Sequence, residues 1–145
     1  MGIFNFLTQE IAIDLGTANT LIIAHDKVMV DEPSIVAIDR KTEKVIAVGK
    51  RAMQMHEKTH ENIKTIRPLR DGVIADFQAA ESMLRGMISM IFPKNKLFKP
   101  SLVMVICIPS GITEVEKRAV KDSAEQAGAR EAYLIHEPMA AALGI

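Results

Sequence analysis

The sequence predicts an α/β fold in which an antiparallel start gives way to alternating helices and strands. Three observations carry that expectation. The apolar runs Ile11–Ile13 and Leu21–Ile23 flank a polar turn that includes Asp14, Gly16 and Thr17, the pattern of a tight hairpin. Phe77, Ala80, Leu84, Met87, Ile88 and Ile91 recur at intervals of three and four, the period of an amphipathic helix. Leu102–Ile108 is nearly all apolar, as suits a strand covered on both faces, and Thr113 with Glu116 then forms a capping box for another helix.

In chain order, residues 11–15, 21–25 and 34–39 read as successive strands, with Asp26-Lys27 as a turn between short pieces. The helix that starts near Phe77 is stopped by Pro93. After the strand at Leu102–Ile108, Val115, Ala119, Val120 and Ala127 mark the buried side of a helix that Gly128 ends. Ala132–Ile135 reads as a strand. Glu137 sits at its end, and Pro138 opens an alanine-rich helix in the first-turn position that proline tolerates. The order is three strands, an insertion, then helix, strand, helix, strand, helix.

Composition bounds the function. The 145 residues, 48% hydrophobic and 25% charged, hold enough apolar material for one core of ordinary size. Eighteen basic and eighteen acidic residues cancel, so a nucleic-acid role has no overall electrostatic support. The single cysteine, Cys107, has no internal disulfide partner; it reads as a small core residue of a reducing compartment, with a catalytic thiol as the alternative. No basic leader followed by a long apolar stretch is present, so neither a signal peptide nor a spanning helix is expected.

Two short stretches suggest phosphate chemistry. In IAIDLGTANT, residues 11–20, Gly16 can take positive φ and lacks a Cβ, which lets backbone N–H groups approach an anion. Thr17, Asn19 and Thr20 add short polar side chains, whereas Asp14 repels phosphate and makes sense through a hydrated Mg²⁺. A plain Asp-x-Gly turn is the alternative reading. In HEPMAAALGI, residues 136–145, Glu137 at a strand-to-helix junction can orient or deprotonate a water for attack on phosphorus. It can equally serve only to complement the helix dipole. A third pattern, His56, Glu57 and His60, fits HExxH and offers a zinc peptidase as an alternative function. Lys58, Glu61, Asn62 and Lys64 around it read instead as a solvated surface, and no third ligand is obvious downstream.

DLGTANT, IRPLRDGVIADF (66–77), IPSGITEVEKRAV (108–120) and EPMAAALG together resemble the MreB family of bacterial actin-like cell-shape proteins, from about Ile3 to Ile145. The resemblance implies an actin-like ATPase fold, its core similar to ribonuclease H, with residues 1–31 and 74–145 as an incomplete core subdomain and 32–73 as a small inserted α+β subdomain. It places Asp14, Gly16, Thr17, Ala18 and Asn19 in the first phosphate loop and Glu137 at the hydrolytic water, with ATP and Mg²⁺ as cofactors. The family's second phosphate loop and adenosine segment have no counterpart in residues 1–145. The chain therefore reads as the first part of such a protein and is expected to bind ATP weakly and to lack ATPase activity by itself. The resemblance further implies self-assembly into filaments, wall-synthesis and shape proteins as partners, and a cytoplasmic location peripheral to the inner face of the membrane. Two stretches fit membrane contact: Ile3, Phe4, Phe6 and Leu7 near the N-terminus, and Leu97 and Phe98 between Lys94, Lys96 and Lys99.

Overall fold

The computed structural model describes residues 8–58, 61–92 and 100–144. Phe4, Phe6, Leu7, His60, Leu97 and Phe98 lie outside the described residues. The elements run β1 (Thr8–Leu15), β2 (Asn19–Ala24), β3 (Lys27–Pro33), β4 (Val36–Asp39), β5 (Val45–Val48), α1 (Gly49–Glu57), β6 (Ile63–Ile66), β7 (Leu69–Arg70), β8 (Val73–Ile74), α2 (Phe77–Ile91), β9 (Ser101–Ile108), α3 (Glu114–Ala127), β10 (Ala129–His136) and α4 (Glu137–Leu143).

The main sheet has the order β10-β9-β1-β2-β3. β1, β2 and β3 form an antiparallel meander, while β9 and β10 continue from β1 in parallel. Period-two alternation puts Ile11, Ile13, Ile22, Val30, Leu102, Met104, Ile106 and Ile108 on one face, all buried. α2 and α3 cover that face with Met83, Leu84, Met87, Val120 and Ala124. Full burial of a side chain of this size stabilises by about 1.5–3 kcal/mol, so this one-sided core holds the strand ends in place.

The opposite face is open. Ala12, Ile23, Val105 and Tyr133 share it by register, and Val105 and Ile23 are each 37% exposed. Leu102–Ile108 is thus covered on one face and not on both, because the two helices that pack on β9 lie on the same side. Cys107 belongs to the open face and is half-buried rather than a core residue.

The third strand of the meander is Lys27–Pro33, which the sequence reading passed over. Its turn falls at His25-Asp26, both at positive φ (52° and 58°), the geometry of a type I′ hairpin whose twist suits paired strands. Residues 36–39, the later part of the expected strand 34–39, belong to a second sheet of order β5-β4-β6. α1 packs on that sheet through Ala52 and Met53 around Ile35, Ala37 and Ala47. Glu32 at the end of β3 accepts the Lys50 N–H at 2.6 Å and so caps α1 from the main sheet. Gly49, at φ +63°, has no room for a Cβ beside that carboxylate.

The helix ends follow the sequence chemistry. Asp76 accepts from the Ala79 N–H at the start of α2, Thr113 and Glu116 form the capping box of α3, and Gly128 ends α3 at φ 119°. Val115, expected on the buried side of α3, is 80% exposed, because the first turn after the Thr113 cap faces outward; Ser123 and Ala124 take the buried positions instead.

Candidate functional site

The three parallel strands β1, β9 and β10 end at one edge of the sheet, where open α/β sheets bind ligands. Register aligns Asp14 with Cys107 and Cys107 with Ile135, so Asp14 and Ile135, two residues before α4, lie two strand spacings apart, about 10 Å along the sheet. Asp14 is exposed and makes no side-chain hydrogen bond or ion pair among the described residues. Glu137, the first residue of α4, is also exposed. Cys107 between them senses both: burial first, then the charges of Asp14 and Glu137, hold its thiol above the ordinary range.

The loop from Leu15 to Asn19 is braced from three directions. The Ser34 hydroxyl donates to the Gly16 carbonyl at 2.6 Å and also shares a bond with the Thr20 hydroxyl at 2.9 Å; both hydroxyl residues are fully buried. The Ser34 N–H donates to the Ala18 carbonyl at 2.8 Å. The Thr17 hydroxyl accepts the Gly72 N–H at 2.8 Å, tying the loop to the β7–β8 hairpin, whose turn places Asp71 and Gly72 at positive φ. From the outside, the Arg67 guanidinium lies 3.4 Å from the Ala18 carbonyl.

Gly16 is required here for a different reason than its freedom in φ. It does not adopt positive φ; a Cβ at this position would collide with the Asn19 carbonyl oxygen, so the turn closes only on a bare Cα. The Asn19 amide donates to Asp31 at 3.0 Å, which commits the side chain to the β2–β3 pair and leaves its backbone to the loop. The free carboxylate of Asp14 fits a hydrated Mg²⁺, a hard cation usually held by one or two carboxylates with waters and phosphate completing its shell.

The Glu137 side is built differently. β10 runs directly into α4, with Pro138 in the first turn as expected, but His136 supplies no side-chain cap and α4 buries no residue. The His136 Nδ1 is buried without a hydrogen-bond partner among the described residues.

Of the HExxH pattern, His56 stands in the last turn of α1. α1 ends at Glu57, and Lys58 is extended at φ −99° and ψ 99°; His60 lies outside the described residues. The His56 Nδ1 shares a hydrogen bond with the Thr65 hydroxyl. Among the described residues no group of three or more His, Cys, Asp or Glu side chains converges on a metal position.

Ser34, Gly72 and Asp31 complete the loop, and the sequence reading missed all three. Only the Asp71-Gly72 pair had a local signal, that of a two-residue hairpin turn.

The MreB/Mbl protein family model matches residues 8–145. The cell shape-determining protein MreB of Haemophilus influenzae is 49% identical over 142 residues, covering 94% of this chain and 40% of the relative. The cell shape-determining protein Mbl of Bacillus subtilis is 47% identical over 137 residues, with the same coverage of 94% and 40%. Among solved structures, MreB5 of Spiroplasma citri bound to ADP superposes with a TM-score of 0.79 at 40% identity, over 94% of this chain and 40% of that one. A MamK double helical filament, at 20% identity and a TM-score of 0.73 over 90% of this chain and 41% of that one, shares the fold. The chain thus spans about 40% of the length of the curated relatives it matches.

Proposed function

The chain belongs to the MreB/Mbl family of actin-like cell-shape proteins, and from that membership we propose that residues 1–145 form one wall of a Mg²⁺-ATP site in a filament-forming cytoskeletal ATPase. The observation that carries this reading is the row Asp14–Cys107–Ile135 at the carboxyl edge of the parallel strands, with Glu137 immediately beyond it. Two solved structures of MreB5 of Spiroplasma citri, bound to ADP and to AMPPNP, support a nucleotide as the ligand class.

In this reading Gly16, Thr17, Ala18 and Asn19 offer backbone N–H groups to phosphate oxygens, and the Thr17 hydroxyl retains a proton to donate while it accepts from Gly72. Asp14 holds Mg²⁺ through water; the bound ion neutralises phosphate charge. Glu137 orients the attacking water, and its exposure leaves its carboxylate free to do so. Residues 32–73 act as a small subdomain inserted between the core segments 1–31 and 74–145.

In a protein of the relatives' length, Glu137→Gln is expected to slow ATP hydrolysis at least a hundredfold while nucleotide binding is spared, the size expected for a lost general base. Equal loss of both would make Glu137 a structural residue. Asp14→Ala is expected to weaken Mg²⁺-ATP binding itself. Residues 1–145 alone are expected to show no micromolar Mg²⁺-ATP affinity by calorimetry; saturable micromolar binding would refute the one-wall reading.

A second reading, a membrane-binding assembly module, rests on Leu97 and Phe98 between Lys94, Lys96 and Lys99. Two apolar side chains ringed by cations suit an anionic bilayer surface, and repetition along a filament multiplies a weak contact. No helix among the described residues is long and apolar enough to cross a membrane. Co-sedimentation with phosphatidylglycerol vesicles tests the peripheral contact: Leu97→Ser with Phe98→Ser must release the protein, and unchanged pelleting would end the proposal.

A further inference from the structure

The groove between α3 and the outer edge of β10 has no part in the nucleotide reading. It offers about 730 Å³ open to solvent and is lined at its base by Ile108, Leu134 and His136. On its α3 wall, Lys117, Arg118 and Lys121 stand three and four residues apart, so one helix face presents three cations. Among the described residues, Glu114 is the one acidic residue lining the groove, and Lys117 already binds it at 2.8 Å. Arg118 and Lys121 form no ion pair among the described residues, although Asp122 and Glu125 share their helix. The groove is cationic for want of partners.

Its other wall is a strand edge. β10 ends the five-stranded sheet, so along one side its backbone N–H and C=O groups pair with no strand among the described residues. The irregularity between Ala129 and Glu131 and the Arg130–Glu131 ion pair at 3.2 Å disturb the start of that edge. Ala132–His136 remains regular and parallel to β9. Tyr133, within this stretch, is 54% exposed on the open face of the sheet, and Val115, on the α3 wall, is 80% exposed. The buried, unpartnered His136 Nδ1 lies at its end.

We propose that this groove is a docking site for an extended acidic segment of a partner protein, which pairs with β10 as a sixth strand and turns its carboxylates toward Arg118 and Lys121. Strand addition to a sheet edge draws affinity from main-chain bonds and specificity from alternate side chains. The alternate, apolar residues of the segment then fall on the open face of the sheet, where they meet Tyr133. The cations on α3 favour an acidic partner over a basic one, because a lysine-rich strand would bring like charges together in a partly desolvated groove.

The test uses a fluorescein-labelled ten-residue peptide in which Asp and Glu alternate with Val and Ile, titrated with the 145-residue chain in low salt. Saturable binding is expected, falling about tenfold or more on charge reversal by Arg118→Glu with Lys121→Glu, and weakening as salt rises. N-methylation of alternate peptide amides separates edge pairing from simple charge attraction: one set must abolish binding and the other must spare it. The proposal is overturned if both methylated sets bind alike or if a Lys/Val peptide binds as well. It is also overturned if the unsubstituted chain binds inorganic phosphate or phosphatidylglycerol vesicles through Arg118 and Lys121 but does not bind the peptide. Arg118 and Lys121 are exposed, so unchanged circular dichroism and thermal unfolding should certify the variant.

Discussion

The two sides of the candidate site are built to different standards. The Asp14–Asn19 loop is held by hydrogen bonds from residues as distant in sequence as Ser34 and Gly72, two of them through buried or half-buried hydroxyls. α4, which begins with Glu137, buries nothing and lacks a side-chain cap. A phosphate loop must present several N–H groups in fixed directions, which demands preorganisation; a water-positioning carboxylate needs one acceptor at the end of a strand. The loop therefore takes its rigidity from the core, while Glu137 takes its position from β10 alone.

The sharpest way to break this contrast is a matched pair of glycine substitutions. Gly16→Ala drives a Cβ into the Asn19 carbonyl, a backbone atom that cannot rotate away, and should lower stability by about 3 kcal/mol in urea unfolding. Gly144→Ala, at the end of α4, meets only ordinary contacts at 3.6 Å from Ala140 and Ala141 and should change stability by less than about 0.5 kcal/mol. Equal costs would mean that the loop is no more constrained than the helix end.

Next in size is Ser34→Ala. It removes the donor to Gly16 and leaves the Thr20 hydroxyl buried with no partner, at a cost of about 1–3 kcal/mol. Met139→Ala, on the exposed side of α4, should stay within about 0.5 kcal/mol. Thr17→Val follows, at about 1 kcal/mol, because the Gly72 N–H loses its acceptor while shape and volume are kept. Thr17→Ser should restore that bond and most of the stability; failure to do so would show that the methyl group, not the hydroxyl, holds the hairpin.

The same contrast explains what the sequence disclosed. α2, the capping box of α3, the Gly128 stop and the β10–Pro138 junction were legible because each depends on neighbours within one or two helical turns. The loop residues Asp14 and Gly16 were legible as a turn. Their braces were not, since Ser34 and Gly72 reach Gly16 and Thr17 across 18 and 55 residues and carry no periodic signal. β3 was passed over because Lys27, Asp31, Glu32 and Pro33 dilute its apolar alternation, and its pairing with β2 overrides that weak propensity. The apolar run of β9 suggested cover on both faces; composition cannot report which face α2 and α3 occupy.

The smallest effect joins the two sides. Cys107 stands between Asp14 and Glu137, and its thiol is held up by burial first and by both carboxylates next. A raised folded-state value means that the thiol stays protonated at neutral pH, so the stability it contributes is present below the unfolded thiol's range and lost as pH rises through the folded value. Alkylation by iodoacetamide near pH 8 should therefore be slower in the native chain than in urea, because only the thiolate reacts. Asp14→Asn and Glu137→Gln should each speed native alkylation by a few-fold at most, since each deletes one negative charge beside the sulfur. Acceleration by Asp14→Asn alone would place Glu137 farther from Cys107 than the register implies and detach α4 from the site. Acceleration by both, each without loss of stability, would show that two unequally built elements bring their charges to one point.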